Sequence, residues 1–183
     1  EPEDIRDIPR PRIGFVGILS RETDHELLNR VAEEIPEAET IFVGRWTPTA
    51  PQQPLSTRIH QLGMKSFEEV PRYMAAFDVG LSIYRPSPAT KAGDSMKVYE
   101  YLAAGLPVVA TSAQKATGRS EHIHFTETPE EFVENVRNVL KGDLGVASKG
   151  EISNEVRPSD WSERLDTMLE TIRTTANGVK RNG

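Results

Sequence analysis

The sequence contains no cysteine. This absence excludes disulfide bonds, thiolate nucleophiles and zinc sites built on thiolates. A chain without cysteine is also compatible with a reducing compartment, and we predict a cytoplasmic location.

Long runs of one kind of residue are missing as well. The formal net charge is −6 and no run of lysine and arginine occurs, so we expect no nucleic-acid partner. No apolar run approaches the roughly 20 residues that cross a bilayer, and the first residues lack the pattern of a signal peptide. The composition therefore predicts a soluble protein with no membrane span in this chain.

The length suits one domain. With 183 residues, 37% of them hydrophobic, the chain can bury a core around its own sheet. It begins at Glu1 without an initiator methionine, so we expect a fragment of a longer protein. Prolines at positions 2, 9 and 11 predict that residues 1–11 form an extended lead-in rather than a helix or strand.

Strand patterns alternate with helix patterns from residue 12 onward. Apolar runs bounded by glycine or proline indicate strands, and Ser/Thr-x-x-Glu sequences indicate helix starts. The predicted strands cover residues 12–19, 39–44, 58–62, 78–84, 107–111 and 120–125. One predicted helix ends at Glu34. The others cover 71–76, the segment after Asp94, 129–141 and 160–174, and loops are predicted at 47–55 and 85–94.

This alternation predicts an α/β fold with a Rossmann-like parallel sheet flanked by helices. We divide the chain into a lead-in at 1–11, the domain at 12–157, an amphipathic C-terminal helix at 158–176 and a frayed tail at 177–183. Ligands of such sheets bind beyond the carboxyl ends of the strands, so we expect a site in the loops there.

Residues 94–111 are the most informative segment. They read as a polar turn, a short helix, a glycine stop and a buried strand. Lys97 and Glu100 share a helix face near the first turn, where unpaired N–H groups and the helix dipole favour an anion. The pair could hold a phosphate and a sugar hydroxyl. The same spacing also fits an ordinary solvated ion pair, and spacing alone does not decide between the two.

The whole segment resembles the donor-binding helix of GT-B glycosyltransferases, in the GT4-like group of glycosyl transferases group 1. Many of these enzymes read roughly Pro-x-Lys-x-x-Glu-Tyr-Leu-Ala-x-Gly-x-Pro-Val-Val. The resemblance implies the C-terminal, donor-binding half of a GT-B fold, with a nucleoside-diphosphate sugar as substrate. It also implies a missing N-terminal half that binds the acceptor, so this chain alone would bind and not transfer.

Within that resemblance, Glu100 would accept hydrogen bonds from the ribose hydroxyls. The N–H groups of Ser95, Met96 and Lys97 would face the diphosphate at the helix start. Arg21 would join Lys97 in neutralising the leaving diphosphate, and these two are the predicted catalytic residues. No metal and no other cofactor would then be required.

Three glycines at or just after the ends of predicted strands complete the predicted binding site. Gly17 lies near the end of the first predicted strand, where the chain leads into a turn that carries Arg21. Gly44 and Gly63, the latter followed by Met64, occupy positions where the resembling enzymes approach the nucleotide base with backbone groups. Gly44 and Gly63 could equally well only end their strands.

The chain departs from the family pattern at two positions. No lysine follows Arg21, and Ala92 stands where the family often has a glutamate eight residues before Glu100. The Glu-x7-Glu pair is therefore absent, and Lys97 would supply charge instead.

These departures keep a second reading open, a non-catalytic nucleotide-binding or interaction module of the same fold. A sugar-nucleotide epimerase would need acidic residues and histidines that converge on the sugar, and the sequence offers no such set. Fold alone does not choose among these functions. His122 and His124 share one face of a predicted strand, but without an evident carboxylate cluster we expect ordinary strand residues rather than metal ligands.

Overall fold

A computed structural model describes residues 1–48, 50, 54–92, 95–113, 120–145, 147–156 and 169–170. Its strands form one parallel sheet in the order β3-β2-β1-β4-β5-β6. They are β1 (Arg12–Leu19), β2 (Glu39–Trp46), β3 (Ile59–Gln61), β4 (Val79–Ser82), β5 (Val108–Thr111) and β6 (Ile123–Thr126). A Rossmann-like parallel sheet was predicted, and this prediction is confirmed.

Helices cover both faces of the sheet. They are α1 (Glu3–Arg6), α2 (His25–Glu34), α3 (Val70–Met74), α4 (Pro88–Ala92), α5 (Met96–Ala103), α6 (Pro129–Lys141) and α7 (Lys149–Glu155). Successive strand residues enter different cores: Phe42 packs in the core formed with α2 and α6, whereas Ile41 and Val43 pack in the core formed with α3, α5 and α7. This alternation follows from the two-residue period of a strand and gives three layers.

The strand order places a crevice beside β1. Because β1 pairs with β2 on one side and β4 on the other, the chain reverses its direction of winding at β1 and β4. Crossover connections leave on opposite faces at such a point, so the carboxyl ends of these two strands border an open crevice. The segment that follows β4 leads into α5, which carries Lys97 and Glu100.

Local signals predicted several element boundaries correctly. β1 has the predicted bounds, and α6 begins after Thr128, whose side chain accepts a hydrogen bond from the Glu131 N–H. Gly142 ends α6 in the left-handed conformation at φ 78°, which glycine adopts without a steric penalty.

Two predictions about irregular segments were wrong. The lead-in is not fully extended: Glu3–Arg6 forms α1, because Ile5 is buried against the sheet and Asp4 accepts hydrogen bonds from Tyr73 and Lys65. The loop at 85–94 contains helix α4. In that loop Ser87 and Thr90 exchange hydrogen bonds that start the helix, a capping signal that the sequence prediction overlooked.

The predicted C-terminal helix at 160–174 and the tail at 177–183 lie outside the described residues, apart from Leu169 and Glu170, which are helical. Among the described residues no helix is both long enough and apolar enough to span a membrane.

Candidate functional site

Helix α5 is anchored to β1 by a buried tyrosine. The hydroxyl of Tyr101 accepts a hydrogen bond from the Val16 N–H at 2.8 Å and lies 3.4 Å from the Gly14 carbonyl oxygen. The Tyr101 ring packs against Gly80. A Cβ on Gly80 would lie 2.6 Å from this ring, so only glycine leaves room for it. Tyr101 is fully buried, and burial raises the pKa of its phenol, so it remains a neutral hydrogen-bonding group. The face of α5 next to Tyr101 is thereby held against the end of β1.

Three glycines lie side by side at the carboxyl edge of the sheet. Gly17 of β1 is the register partner of Gly44 of β2, and the Gly44 N–H donates to the Gly63 carbonyl at 2.9 Å. A Cβ on Gly44 would stand 1.7 Å from the Gly17 carbonyl oxygen. Adjacent backbones therefore approach each other here with no side chain between them.

Lys97 reaches over this glycine edge. Its Nζ lies 2.7 Å from the point that a Cβ on Gly17 would occupy and 6.0 Å from the centre of the Phe15 ring. Burial lowers the pKa of Lys97, and the nearby Glu100 carboxylate opposes that shift. Among the described residues no carboxylate forms an ion pair with Lys97. An ammonium group in this setting gains most from an anionic ligand.

Glu100 lies one turn further along α5, on an exposed face. It borders a cavity of about 440 Å³ whose walls are otherwise mainly apolar. The other lining residues are Val16, Phe67, Val70, Pro71, Met74, Ala103 and Ala104. A carboxylate at the rim of an apolar cavity can hydrogen-bond hydroxyl groups while the walls contact a flat ring.

Two aromatic residues of this region were missed in the sequence analysis. Phe67 is 85% exposed beside the cavity, so its ring has a free face for stacking. Burial raises the pKa of Tyr84, at the end of the β4 segment, and the Glu100 carboxylate raises it further, which places the phenol in the electrostatic range of that carboxylate. The signal available in the sequence was an aromatic residue directly after Ser66, at the start of a Ser-x-x-Glu turn.

The remaining predicted residues fall in different settings. Met64 and Met96 are 66% and 64% exposed. Ser95 precedes α5 but is buried, with its Oγ 3.4 Å from the Ser82 Oγ, so only its backbone can face a ligand. The Ser95 carbonyl accepts from the Val98 N–H at 3.1 Å, which begins the helix directly over the crevice.

Arg21 lies in the exposed turn after β1. Its Nε is 2.7 Å from a Glu22 carboxylate oxygen, and its side chain is 77% exposed. Among the described residues, Glu22 is its ion-pair partner, and the structure does not bring Arg21 into contact with Lys97 or Glu100. Its predicted catalytic role stays a prediction.

Comparison with known proteins identifies the class. Two solved structures share the fold: HepE of Anabaena, crystallised with UDP (TM-score 0.69, 18% identity), and sucrose-phosphate synthase of Thermosynechococcus elongatus (TM-score 0.70, 17% identity). The chain aligns over 90% and 94% of its own length and over 49% and 47% of theirs. The fold is that of the C-terminal domain of a GT-B glycosyltransferase.

The sequence itself assigns the family. Residues 10–142 match the family described as Glycosyl transferases group 1, and the chain belongs to that family. A relative in Bacillus subtilis (strain 168), named "Putative teichuronic acid biosynthesis glycosyltransferase TuaH", is 26% identical over 161 residues. The match covers 82% of this chain and 40% of that protein, so the chain spans less than half the length of this relative.

Proposed function

We propose that this chain is the donor-binding half of a glycosyltransferase that transfers sugar from a nucleoside-diphosphate sugar to an acceptor. The observation that carries the proposal is the placement of Lys97 over the glycine edge with Glu100 one turn away beside an apolar cavity. The cation at the helix start suits the diphosphate of a nucleotide, and the carboxylate suits its ribose. The apolar cavity suits its base.

Each part of the nucleotide has a partner of suitable chemistry. The Lys97 ammonium and the first N–H groups of α5, from Ser95 to Lys97, would bind the diphosphate. The Glu100 carboxylate would accept hydrogen bonds from the ribose hydroxyls. The base would enter the cavity beside Phe67, and backbone groups near Gly44, Gly63 and Met64 that are not already paired would hydrogen-bond its edge.

The same groups explain how transfer would be promoted. As the bond from the anomeric carbon to the diphosphate breaks, negative charge grows on the departing oxygen, and a fixed cation lowers the energy of that state. Lys97 and the α5 N-terminus would supply this stabilisation, with Arg21 as a further cation if its loop turns toward the ligand. No metal is needed for this step.

The acceptor would be brought by a second half that this chain does not contain, so we expect binding without transfer from this chain alone. The matched relatives extend beyond it by about the length of such a half. By analogy with the relative in Bacillus subtilis, we propose a role in the synthesis of a polysaccharide or glycoconjugate. We also propose a cytoplasmic location.

Calorimetric titration of uridine and UDP against two variants tests the proposal. Glu100→Gln should weaken both ligands about ten- to a hundredfold, because charge-assisted hydrogen bonds of roughly 1.5–3 kcal/mol to the ribose are lost. Lys97→Met should weaken UDP by a similar factor and leave uridine unchanged, since uridine has no phosphate.

Glu33→Gln on the exposed face of α2 and Lys141→Met at the end of α6 are the matched controls, and neither should alter binding. The non-catalytic module stays as the second candidate, favoured by Ala92 and by the pairing of Arg21 with Glu22. UDP binding that is insensitive to both Glu100→Gln and Lys97→Met would contradict the proposed site.

A further inference from the structure

A second group of chemically active side chains lies at the other end of the sheet. His122 precedes β6, and Glu155 ends α7, so both are at the amino end of the edge strand, away from the glycine edge. Glu121 joins them: one ligand atom from each of Glu121, His122 and Glu155 lies within 4.8 Å of the others. Local spacing could not predict this cluster, because Glu155 is more than 30 residues away from His122 in the sequence.

The cluster borders a cavity of about 510 Å³ between the start of β6, the loop after α6 and α7. Its lining residues are Glu121, His122, His124, Leu144, Gly145, Ala147, Glu151 and Glu155. Carboxylates and imidazoles dominate the polar part of this set, and no lysine or arginine is among them. The cavity therefore favours a cation.

His122 is buried and only partly hydrogen-bonded. It is 5% exposed, its Nε2 lies 3.2 Å from a Glu155 carboxylate oxygen, and its Nδ1 has no hydrogen-bond partner in the described part of the chain. The buried Nε2 of His124 also lacks a partner there. Buried polar atoms normally have partners, so two such nitrogens beside one cavity point to a ligand.

Both unpartnered nitrogens face the same glycine. His122 Nδ1 and His124 Nε2 lie 3.7 Å and 2.9 Å from the point that a Cβ on Gly145 would occupy. The backbone of Gly145, at φ +65°, leaves this space open. The two imidazoles are thus neighbours across a space that no side chain fills.

The separation of the donors suits a transition-metal ion. His122 Nε2 lies 3.2 Å from a Glu155 carboxylate oxygen, and two donors bound at about 2.0–2.1 Å to one tetrahedral zinc ion stand about 3.3 Å apart. His122 would therefore bind the ion through Nε2, in place of its present ion-pair contact with Glu155. Imidazole and carboxylate groups, in the absence of thiolate, are suitable ligands for zinc and other divalent first-row transition metals. Glu155 is itself oriented by Ser120, whose hydroxyl donates to its other oxygen at 2.5 Å.

Glu151 has a different role. Its carboxylate accepts hydrogen bonds from the Ser148 N–H and hydroxyl, both at 2.7 Å, and so caps α7. We propose that Glu121, His122 through its Nε2, and Glu155 bind one divalent transition-metal ion such as zinc, while the unpartnered His122 Nδ1 and His124 Nε2 face the same cavity on the Gly145 side. The ion would tie α7 to the edge strand and play no part in sugar transfer.

The test is a titration of the untagged chain, first treated with a chelator, with cobalt(II) and then with zinc as competitor. Visible absorption bands of cobalt bound to nitrogen and oxygen report the site directly and need no enzyme activity. We expect one cobalt ion per chain, displaced by one zinc ion, and a rise in Tm with zinc because only the folded state binds it. His122→Gln and Glu155→Gln should each weaken binding at least tenfold.

His60→Gln is the matched control, because His60 Nε2 and a Glu39 oxygen also lie 2.8 Å apart but on the partly exposed β3 edge. It should leave cobalt binding unchanged. If His122→Gln fails to fold, Glu121→Gln tests the site instead, because Glu121 is exposed and its replacement should not disturb the fold. Glu121→Gln should also weaken cobalt binding at least tenfold. Absence of cobalt bands, or bands that persist unchanged in Glu121→Gln and Glu155→Gln, would overturn the proposal.

Discussion

At the scale of single residues, Tyr101 and Glu100 have different roles in α5: Tyr101 anchors the helix and Glu100 borders the cavity. Tyr101 points into the core and hydrogen-bonds the end of β1, whereas Glu100, its neighbour in sequence, is exposed beside the cavity. Neighbours on a helix are separated by about 100°, so one can anchor while the other faces a ligand. The sequence motif predicted the exposed acid. The anchoring bond joins residues 85 positions apart and could not be predicted from local spacing.

His25 provides a prediction about pH. It is fully buried at the start of α2, edge-on to Trp46 at 5.2 Å between ring centres. Burial lowers its pKa below the ordinary 6.5, Arg85 lowers it further, and Asp24 and Glu26 oppose the shift. The unfolded chain therefore binds a proton here at a higher pH than the folded chain does.

His25 thus stabilises the fold fully above pH 6.5, and this stabilisation is lost as the pH falls through the lower pKa of the folded state. Urea unfolding between pH 7.5 and 5.0 should show the free energy of unfolding falling with acidity, less steeply in His25→Leu than in the wild type. Ordinary carboxylates remain largely ionised in this range, so the difference between the two slopes reports the histidine. Equal slopes would show that His25 does not titrate differently in the two states.

At the scale of elements, the glycine edge depends on backbones that touch. Gly44 has φ +151°, and a Cβ there would meet the Gly17 carbonyl, a backbone atom that cannot rotate away. Gly142 also has a positive φ, of +78°, but a Cβ there would meet nothing within 4 Å. Comparing alanine substitutions at these two positions therefore separates the conformational cost of a positive φ from the cost of a steric clash.

Gly142→Ala should therefore lose only the conformational term, about 1–2 kcal/mol. Gly44→Ala should lose clearly more, because β1 and β2 must also move apart. The free energies of unfolding in urea measure both. Equal losses at the two positions would mean that the strands adjust freely at the glycine edge.

The elements also show what the sequence can and cannot predict. Apolar runs and caps predicted β1 and α6 because the signals are local, and a family pattern located the α5 segment. α1 was missed because part of its stability comes from contacts of Asp4 with Tyr73 and Lys65, which are more than 60 residues away. The cavity beside Glu100 and the cluster around His122 were missed for the same reason, since each joins side chains from separate segments.

At the scale of the whole molecule, the parallel sheet separates two kinds of chemistry. All six strands end at one edge, where Gly17, Gly44 and the start of α5 meet, and they begin at the other, where His122 and Glu155 meet. A parallel arrangement gathers every strand-to-helix loop at one edge, so a ligand site there is built from many short segments. The opposite edge carries the contacts between α7 and the residues that precede β6.

Binding of UDP at the start of α5 can be mapped by an NMR titration that follows the backbone amide signals of the isotopically labelled chain. We expect the chemical-shift changes to concentrate at Val16, Gly17, Gly44, Gly63 and residues 95–100, while His122 and His124 stay unperturbed. Changes that avoid the start of α5, or no response at millimolar UDP, would show that this region is not the nucleotide site.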